Sequence, residues 1–318
     1  MNQHNQGNHQ SDNFSFKLIK LEDKDIIQAI VSQIPYQLCN YTFTNMIIWG
    51  STYSPAYSII DGMLVILSQP KGKQYFNFPL GNGDAKQVID KLIQYAKEKE
   101  IPFKMANITD EMKIFLEENY PNKFTFLLSE NYSDYLYNTQ DLLHLQGKKY
   151  QPKRNHIHKF EKLYDYQYNN MTQQDIPECV EMHKEWAFRH CKHGNTSLED
   201  ETCATAKALQ LFDRLDLKGG VLRVDGKVVA FTLGQAINNS TFDICIEKAL
   251  SEYDGAYPMI NQQFLEHQVS AYPYVNREED MGEDGLRKAK LSYHPVRLVF
   301  KYSAKYQFNA YDSDFKNI

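Results

Sequence analysis

A repeated order of predicted elements constrains the fold of this chain most. In the first half, strand-like runs at 57–60 and 63–67 flank Asp61-Gly62, a dipeptide typical of a tight hairpin. A strand, helix, strand, helix and strand follow, ending at Phe124–Leu128. In the second half the same order begins at the hairpin Asp225-Gly226 and closes with a predicted strand over 296–302. Elements in this mixed order favour an α/β (α+β) fold in which mixed central sheets are flanked by helices.

The repeat defines the predicted domain organisation. A length of 318 residues also indicates two domains rather than one. We predict an N-terminal lobe at 14–138, linker helices at 139–164 and a C-terminal lobe at 165–306, with a polar tail at 307–318. Residues 1–13 are rich in Asn, Gln and His and contain no Lys or Arg. They predict a disordered tail rather than a signal peptide or an anchor.

Composition and charge narrow the class of protein. The net charge of −5 argues against a general nucleic-acid binder, so a polyanionic partner would have to meet a local basic patch. No apolar run approaches the roughly 20 residues that span a bilayer. Five cysteines, an odd number without paired spacing, favour a reduced setting. We therefore expect a soluble, cytoplasmic protein.

The linker contains the one concentrated basic patch of the sequence. Pro152 is well placed as the first residue of a helix on which Arg154, His158 and Lys162 share a face. Cations aligned in this way focus a local field and predict phosphate binding. A solvated linker helix is the alternative. The candidate phosphate-binding residues are Lys148, Lys149, Lys153, Arg154, His158 and Lys162.

The segment from Asn276 to Pro295 is the most informative for chemistry, because acidic and basic residues surround two glycines there. The glycines indicate tight backbone geometry as a helix begins, where free N–H groups attract anions. In one interpretation, Arg287 and Lys290 hold an anion while Asp280 binds an amine or moves a proton. In the other, the segment is a charged loop that caps a helix.

Several motifs together resemble a known family. They are Gly147-Lys148-Lys149, Lys153-Arg154-Asn155, Glu247-Lys248-Ala249, Gly255-Ala256-Tyr257 and, above all, the segment from Asn276 to Gly282 with Gly285 to Lys290. The chain resembles the acyl-CoA N-acyltransferase (GNAT) fold in duplicate. More closely, it resembles the soluble bacterial family related to the C-terminal catalytic part of phosphatidylglycerol lysyltransferases, from about residue 14 to 306. The resemblance implies an acyltransferase-like protein of two GNAT-like lobes. In the best-known relatives, an aminoacyl group moves from charged tRNA to a lipid head group.

The donor and acceptor expected from this resemblance depend on where the chain departs from the family pattern. It lacks the membrane-spanning region of the lipid-modifying relatives, so the acceptor stays open between a small molecule and a head group. Glu252 and Asp254 stand where acetyl-CoA enzymes hold a pyrophosphate, which two carboxylates would repel. We therefore expect aminoacyl-tRNA as donor, a tRNA contact through the basic patch, and no tightly bound cofactor. The alternatives are an acyl-CoA-dependent N-acyltransferase with an altered loop and a non-enzymatic binding relic of the fold.

Acyl transfer needs a neutral nucleophile, an aligned carbonyl and donors for the developing oxyanion. An aminoacyl donor adds an α-ammonium group, which carboxylates recognise. The candidate catalytic residues are Asp280, Glu247 and Tyr293, the last as proton donor to a leaving oxygen. The candidate substrate-binding residues are Asn276, Arg277, Glu279, Arg287, Lys290 and Asp243. Asp243 lies an even number of residues from Glu247 on one strand and so on the same face. A structural ion-pair network among Asp280, Arg287 and Arg277 is the alternative.

Metal binding is not predicted. Cys179 and His183 lie one helical turn apart, with His190, Cys191 and His193 nearby, but this spacing fits no standard zinc site. The sequence also contains no P-loop and no dinucleotide fingerprint.

Overall fold

The computed structural model describes residues 14–190 and 196–308. The predicted tail at 1–13, most of the predicted tail at 307–318, and Cys191 and His193 lie outside the described residues. Within the described ranges the chain forms two sheets with helices packed against them.

The first sheet has seven strands and one parallel pair. Its order is β1 (Lys17–Leu18), β2 (Ala56–Ile60), β3 (Met63–Ser68), β4 (Tyr75–Phe76), β5 (Lys104–Ile108), β14 (Tyr302–Tyr306) and β6 (Phe124–Leu128). The parallel strands β4 and β5 share only the pair Phe76↔Met105, while the other neighbours are antiparallel. The sheet is therefore weakly joined between β4 and β5.

The second sheet repeats this plan. Its order is β13 (Arg297–Val299), β7 (Asp134–Asn138), β12 (Tyr274–Asn276), β11 (Thr241–Ala249), β10 (Lys227–Asn238), β9 (Lys218–Val224) and β8 (Tyr166–Asn170). Here β11 and β12 form the parallel pair. The predicted class, two mixed sheets flanked by helices, is confirmed.

Eleven α-helices cover the two sheets within the described residues. They are α1 (Lys24–Val31), α2 (Phe43–Ile48), α3 (Gly50–Tyr53), α4 (Ala85–Glu98), α5 (Asp110–Asn119), α6 (Thr139–His144), α7 (Gln151–Leu163), α8 (Ile176–His190), α9 (Thr196–Gln210), α10 (Ala256–Phe264) and α11 (Asp284–Leu291). The longer ones follow local rules. Helix α4 begins after Asp84, whose carboxylate accepts the Gln87 N–H at 3.1 Å, and it buries Val88 and Leu92 one turn apart.

The two halves of the chain exchange strands. Strand β7 follows the first repeat but pairs between β12 and β13 of the second sheet, and β14 returns from the second repeat to pair between β5 and β6. The single strand predicted over 296–302 is therefore wrong: it divides into β13 and β14, because the chain leaves one sheet and enters the other at Phe300 and Lys301. The two crossing segments meet where Ser129 N–H donates to Lys301 O at 2.8 Å.

This exchange places the polar segments of interest between the sheets. The larger apolar core contains residues from both halves, including Leu136, Met171 and Val299 beside the side chains of the first sheet. A second core lies between the second sheet and α7 and α10, around Phe160, Phe242 and Phe264. Because each sheet contains a strand from the other half, neither lobe is complete without the other.

Candidate functional site

The loop at residues 277–283, between β12 and α11, organises the site. Strands β11 and β12 pair over three positions, the last being Asp243↔Asn276. Beyond it, β11 continues to Ala249 while the chain turns away into the loop. Glu278 and Met281 have φ angles of 55° and 53°, a region that non-glycine residues adopt at a cost and that clusters at functional sites.

The first group of charges is an ion cluster at the crossing of the two halves. Lys301 Nζ lies 2.5 Å from Asp134 Oδ1 and 2.9 Å from Glu279 Oε1. Asp134 Oδ2 accepts the Cys39 N–H and the Asn276 side-chain amide, both at 2.9 Å. Desolvation lowers the pKa of Lys301, but Asp134 and its other anionic neighbours outweigh this effect and hold the pKa well above its usual value. The lysine is therefore a permanent buried cation.

Beside this cluster lie two carboxyl groups with raised pKa values. Asp243 is fully buried, and neither of its oxygens has a hydrogen-bond partner among the described residues. Desolvation raises its pKa well above the usual value, and Glu278 raises it further. Glu278 accepts the side-chain amide of Asn45 at 2.7 Å, and desolvation together with Glu279 raises its pKa to about 8. Both groups take up a proton more readily than an ordinary carboxylate.

Other unpartnered polar atoms accompany Asp243. Its cross-strand neighbour Gln235 has a buried side-chain nitrogen without a partner, and so has the side-chain oxygen of Asn45. Buried polar atoms without a partner are rare in folded proteins, and each one points to a water, an ion or a ligand. Of these side chains, Asn45 bonds Glu278 and Asp243 interacts with it electrostatically, so the unpartnered atoms of these two indicate a place for a polar ligand group.

A cavity of about 460 Å³ opens onto two of these side chains, Asn45 and Glu278. Its charged lining residues are Glu278, Glu279 and Lys301, accompanied by Cys39 and Asn45. The remaining lining residues come from α2, α3, β3, β4, β5 and the crossing segments, and include Met46, Trp49, Tyr53, Ile66, Tyr75, Asn107, Tyr132, Met281 and Tyr302. The cavity is therefore lined by both aromatic and charged side chains.

A second group of charges lies in the other lobe, across the gap between β11 and β12. Arg277 Nη2 donates to Glu247 Oε1 at 2.8 Å, and Asn261 donates to Glu247 Oε2 at 2.8 Å. The Arg277 guanidinium lies 4.7 Å from the ring centroid of Tyr293, and Lys153 Nζ lies 4.0 Å from the same centroid. Desolvation, with the charge of Arg277, lowers the pKa of Lys153 to about 8. Predicted residues from the linker and from the closing motif therefore do meet.

Asp280 and Arg287 form a separate, closed ion pair. Asp280 Oδ2 accepts the Tyr135 hydroxyl at 2.5 Å and Arg287 Nε at 2.8 Å, and Oδ1 accepts the Gly282 N–H and Arg287 Nη2. Burial raises the pKa of Asp280, but these hydrogen bonds outweigh it and lower the pKa to about 2. Lys290 Nζ donates to the carbonyl oxygens of Arg277 and Glu279. In this arrangement all three residues hold the loop in shape; their predicted catalytic and substrate-binding roles stay predictions.

The basic patch separates into two sets. The guanidinium of Arg154 donates to the carbonyl oxygens of Leu145 and Gly147 and so caps the end of α6, while Lys153 turns inward to Tyr293. The remaining candidates are exposed: Lys148, Lys149, His158 and Lys162. Only this second set is free to meet a large polyanion.

Helix α7 also covers the place where a pyrophosphate would bind. A Cβ atom at Gly255, before α10, would lie 2.3 Å from the carbonyl oxygen of His156, so α7 packs directly on this helix start. Asp254 pairs with Lys159 at 2.5 Å and with His156 at 3.2 Å. Glu252 is likewise paired with Arg189, so ion pairs neutralise both of the carboxylates that the sequence analysis sets against a pyrophosphate.

Possible metal ligands do come together at the ion cluster. One ligand atom each from Cys39, Asp134 and Glu279 lie within 4.8 Å of one another. The ammonium group of Lys301 is bonded to both carboxylates and therefore occupies the cationic position between them. Elsewhere, Cys179 and His183 are buried in the packing of α8, and the His183 ring nitrogen contacts Thr202 O at 3.1 Å.

Sequence reasoning missed several of these residues. Asp134 lies on β7, which was not predicted as a strand, and Cys39 and Lys301 belong to no motif. Glu278 and Met281 line the cavity and lie in the quoted motif, so these two missed residues had a local signal. The others meet only because the halves exchange strands.

Fold and site together define a two-lobed α/β protein with a polar cavity where its halves cross. The family model described as phosphatidylglycerol lysyltransferase, C-terminal, matches residues 32–305. The chain belongs to this family, whose membership supports a transferase and aminoacyl transfer as the general reaction class. Within the described residues, no helix has both the length and the apolarity needed to cross a membrane.

Three relatives illustrate the range of similarity. A conserved protein of unknown function from Bacteroides thetaiotaomicron is 40% identical, with a TM-score of 0.89 over 93% of this chain and 100% of that one. The structure of L-PGS from Bacillus licheniformis has a TM-score of 0.62 at 15% identity, over 91% of this chain and 93% of that one, which shows the fold alone. An uncharacterized protein from Mycoplasmoides gallisepticum is 26% identical over 182 residues. That match covers 56% of this chain and 58% of the relative, so the chain spans little more than half of its length.

Proposed function

We propose that this protein is an aminoacyl transferase that moves an aminoacyl group from charged tRNA to an amine or hydroxyl acceptor. The observation that carries the proposal is the acidic surplus of the cavity. In the lining, the carboxyl groups of Glu278 and Glu279 face one ammonium group, that of Lys301, so the lining carries one excess negative charge once Glu278 is ionised. Such a charged lining recognises a further ammonium group, which an aminoacyl group carries and a simple acetyl group lacks.

The charges and the size of the cavity agree with this ligand class. An ammonium group about 4 Å from one carboxylate gains roughly 4 kcal/mol at an effective dielectric constant of about 20, before desolvation is subtracted. It also favours the ionised forms of Glu278 and Asp243, whose pKa values are raised in its absence. A volume of about 460 Å³ lies within the usual range for small-molecule sites.

Glu278 is the proposed general base. Its pKa of about 8 is matched to proton removal near neutral pH, and it lines the cavity. In the proposed step the acceptor nitrogen or oxygen bonds to the aminoacyl carbonyl carbon and loses a proton to Glu278. The ester bond to the tRNA ribose then breaks, and its oxygen leaves with that proton. Lys301 is the cation available to stabilise the developing negative charge.

The tRNA donor is proposed to contact the exposed residues Lys148, Lys149, His158 and Lys162. Phosphate contacts of this kind are salt-dependent because they release counterions. The acceptor is proposed to be a small molecule or a head group that presents an amine or a hydroxyl. Helix α7 covers the start of α10, which favours charged tRNA over an acyl-CoA as the donor.

The test uses tRNA charged with radiolabelled amino acids. The full chain, the charged tRNA and a mixture of small amines and head-group alcohols are incubated, and label transfer is followed by chromatography. We expect Glu278→Gln to slow transfer by about 100-fold or more. Glu283→Gln, on the same loop but exposed, is the matched control and should transfer at the normal rate. Equal rates for both variants would contradict the role of Glu278.

The alternatives predict different ligand responses. Thermal stabilisation by CoA thioesters but not by charged tRNA would favour an acyl-CoA-dependent enzyme. No stabilisation by either ligand, together with no transfer, would favour a binding relic of the fold.

A further inference from the structure

The group of charges in the second lobe contains two cationic side chains with unmet bonding capacity. Lys153 Nζ lies over the Tyr293 ring at 4.0 Å from its centroid and has no carboxylate or hydrogen-bond acceptor among the described residues. Arg277 Nη1 is buried and also lacks an acceptor within that part of the chain. The buried Nη1 of Arg277, with the half-buried Nζ of Lys153 beside the same ring, points to an absent partner that accepts hydrogen bonds.

The neighbouring carboxylate cannot fill this role. Both oxygens of Glu247 are already engaged, one by Arg277 Nη2 and the other by Asn261. With Lys153 protonated, Lys153 and Arg277 together carry two positive charges against the one negative charge of Glu247. The other titratable groups facing them are the hydroxyls of Tyr293 and Tyr137, whose pKa values are raised by desolvation, so they stay neutral. The missing partner is therefore an anion.

We propose that Lys153 and Arg277 form a subsite for one phosphate group of a polynucleotide, at the end that carries the aminoacyl group. The proposal rests on the proposed function and deepens it. Lys153 lies on α7, whose outer face and preceding turn carry the exposed Lys148, Lys149, His158 and Lys162. A chain of phosphates that follows these cations would bring one phosphate to the inner pair, where a guanidinium group offers well-directed donors.

This continuity favours a polynucleotide over a lipid. A lipid head group would need apolar surface beside the subsite for its chains. On α7 the one large apolar side chain that is exposed is Leu163, at the far end of the helix from Lys153, and the exposed Leu291 and Val296 near Tyr293 in the sequence lie outside this helix. The basic face therefore fits a ligand with several phosphates in a row.

The subsite has a distinctive pH dependence. Burial and Arg277 lower the pKa of Lys153 to about 8, whereas a bound phosphate would raise it again. Phosphate binding should therefore take up a proton near pH 8 and weaken at higher pH. Arg277 keeps its charge throughout, because Glu247 and its other neighbours outweigh the desolvation that lowers its pKa and hold that pKa above the usual value.

The experiment titrates the full chain with an uncharged RNA minihelix that ends in CCA, at pH 7 and pH 9 and at two salt concentrations. We expect Lys153→Met to weaken binding by about 10-fold or more at pH 7 and to reduce the difference between the two pH values, leaving the part that ionisation of Glu278 causes. Lys153→Arg, which keeps its charge at both pH values, should bind RNA at pH 7 and show the same reduced pH dependence. Lys162→Met, on the exposed part of the same helix, should weaken binding less and lower the salt slope by about one.

Two further measurements separate the subsite from the reaction. Acylation of lysine amines at pH 8, mapped by mass spectrometry, should label Lys153, and the minihelix should protect it. Protection together with absent aminoacyl transfer would leave the subsite standing while refuting the proposed function. Equal effects of Lys153→Met and Lys162→Met would overturn the subsite. So would protection by inorganic phosphate or phosphatidylglycerol vesicles without protection by the minihelix.

Discussion

Replacing Lys301 with Met tests whether the crossing point of the two halves is held by charge. The substitution removes the cation but keeps a side chain of similar length in a site where Lys301 is 2% exposed and Asp134 fully buried. Breaking a buried ion pair from one side costs about 3–5 kcal/mol, because the remaining charge is left uncompensated. Asp134 keeps its hydrogen bonds from Cys39 and Asn276, so we expect the lower end, about 3 kcal/mol.

The loss should depend on pH in a defined direction. Desolvation raises the pKa of Glu279, but Lys301 outweighs it and holds the pKa below its usual value. A carboxyl group with a lowered folded-state pKa stabilises the protein above its unfolded pKa, about 4.3, and loses this contribution as the pH falls through the folded value. The raised pKa of Lys301 gives a contribution that is full below about pH 10. The stability gap should therefore be constant at neutral pH and narrow below about pH 4.

Urea denaturation of the wild type and the variant, at pH 7.5 and pH 3, measures the gap. Lys305→Met, exposed on the adjoining strand β14, is the matched control and should change the free energy of unfolding by less than about 0.5 kcal/mol. The double variant Lys301→Met with Asp134→Asn should recover part of the loss, since both charges of that pair are gone. Equal losses for Lys301→Met and Lys305→Met would refute the reasoning.

Two further predictions concern other parts of the molecule. Gly255→Ala should lower the free energy of unfolding by about 2 kcal/mol or more in thermal or urea denaturation, since the φ of Gly255 is +92° and the new Cβ would lie 2.3 Å from His156 O. The control Gly285→Ala, in open space on α11, should be neutral or slightly stabilising. A larger loss for Gly285→Ala than for Gly255→Ala would contradict the packing of α7 on α10. If Glu278 is the general base, kcat/KM for transfer should rise with pH through about 8, as the carboxyl group of the free protein loses its proton. The residual kcat/KM of Glu278→Gln should show no such rise. A wild-type kcat/KM independent of pH from 6 to 9 would argue against that role.

The sequence predicted those parts of the fold that depend on neighbouring residues. Asp61-Gly62 and Asp225-Gly226 form the predicted hairpins, with φ angles of 48° and 79° in the first and 50° and 79° in the second. Helix α9, the short helices α2 and α3, and strand β7 were not predicted. Apolar and polar residues alternate no more clearly in strand β7 than in a loop. The strand is stabilised by partners far along the chain, so the local pattern could not identify it.

The candidate site shows the same division. Glu247, Arg277 and Lys153 came from motifs, and the structure places them around one tyrosine ring. The ion cluster joins residues up to 262 positions apart, Cys39 and Lys301, which only the strand exchange brings together. A spacing argument within one segment cannot find such a cluster, because the contact depends on how two sheets are joined.

The loop at 277–283 explains why these two groups of charges belong to one proposal. Arg277 contacts the second lobe, whereas the next two residues, Glu278 and Glu279, contact Asn45 and Lys301 at the cavity. Consecutive residues have Cα atoms only about 3.8 Å apart, so one turn of backbone separates a cationic subsite from an acidic one. The end of an aminoacyl-tRNA presents the complementary pair, a phosphate and an ammonium group joined through one ribose. A loop with a cationic subsite beside Arg277 and an acidic one beside Glu278 would bind both groups of that unit and so fix the ester bond between them.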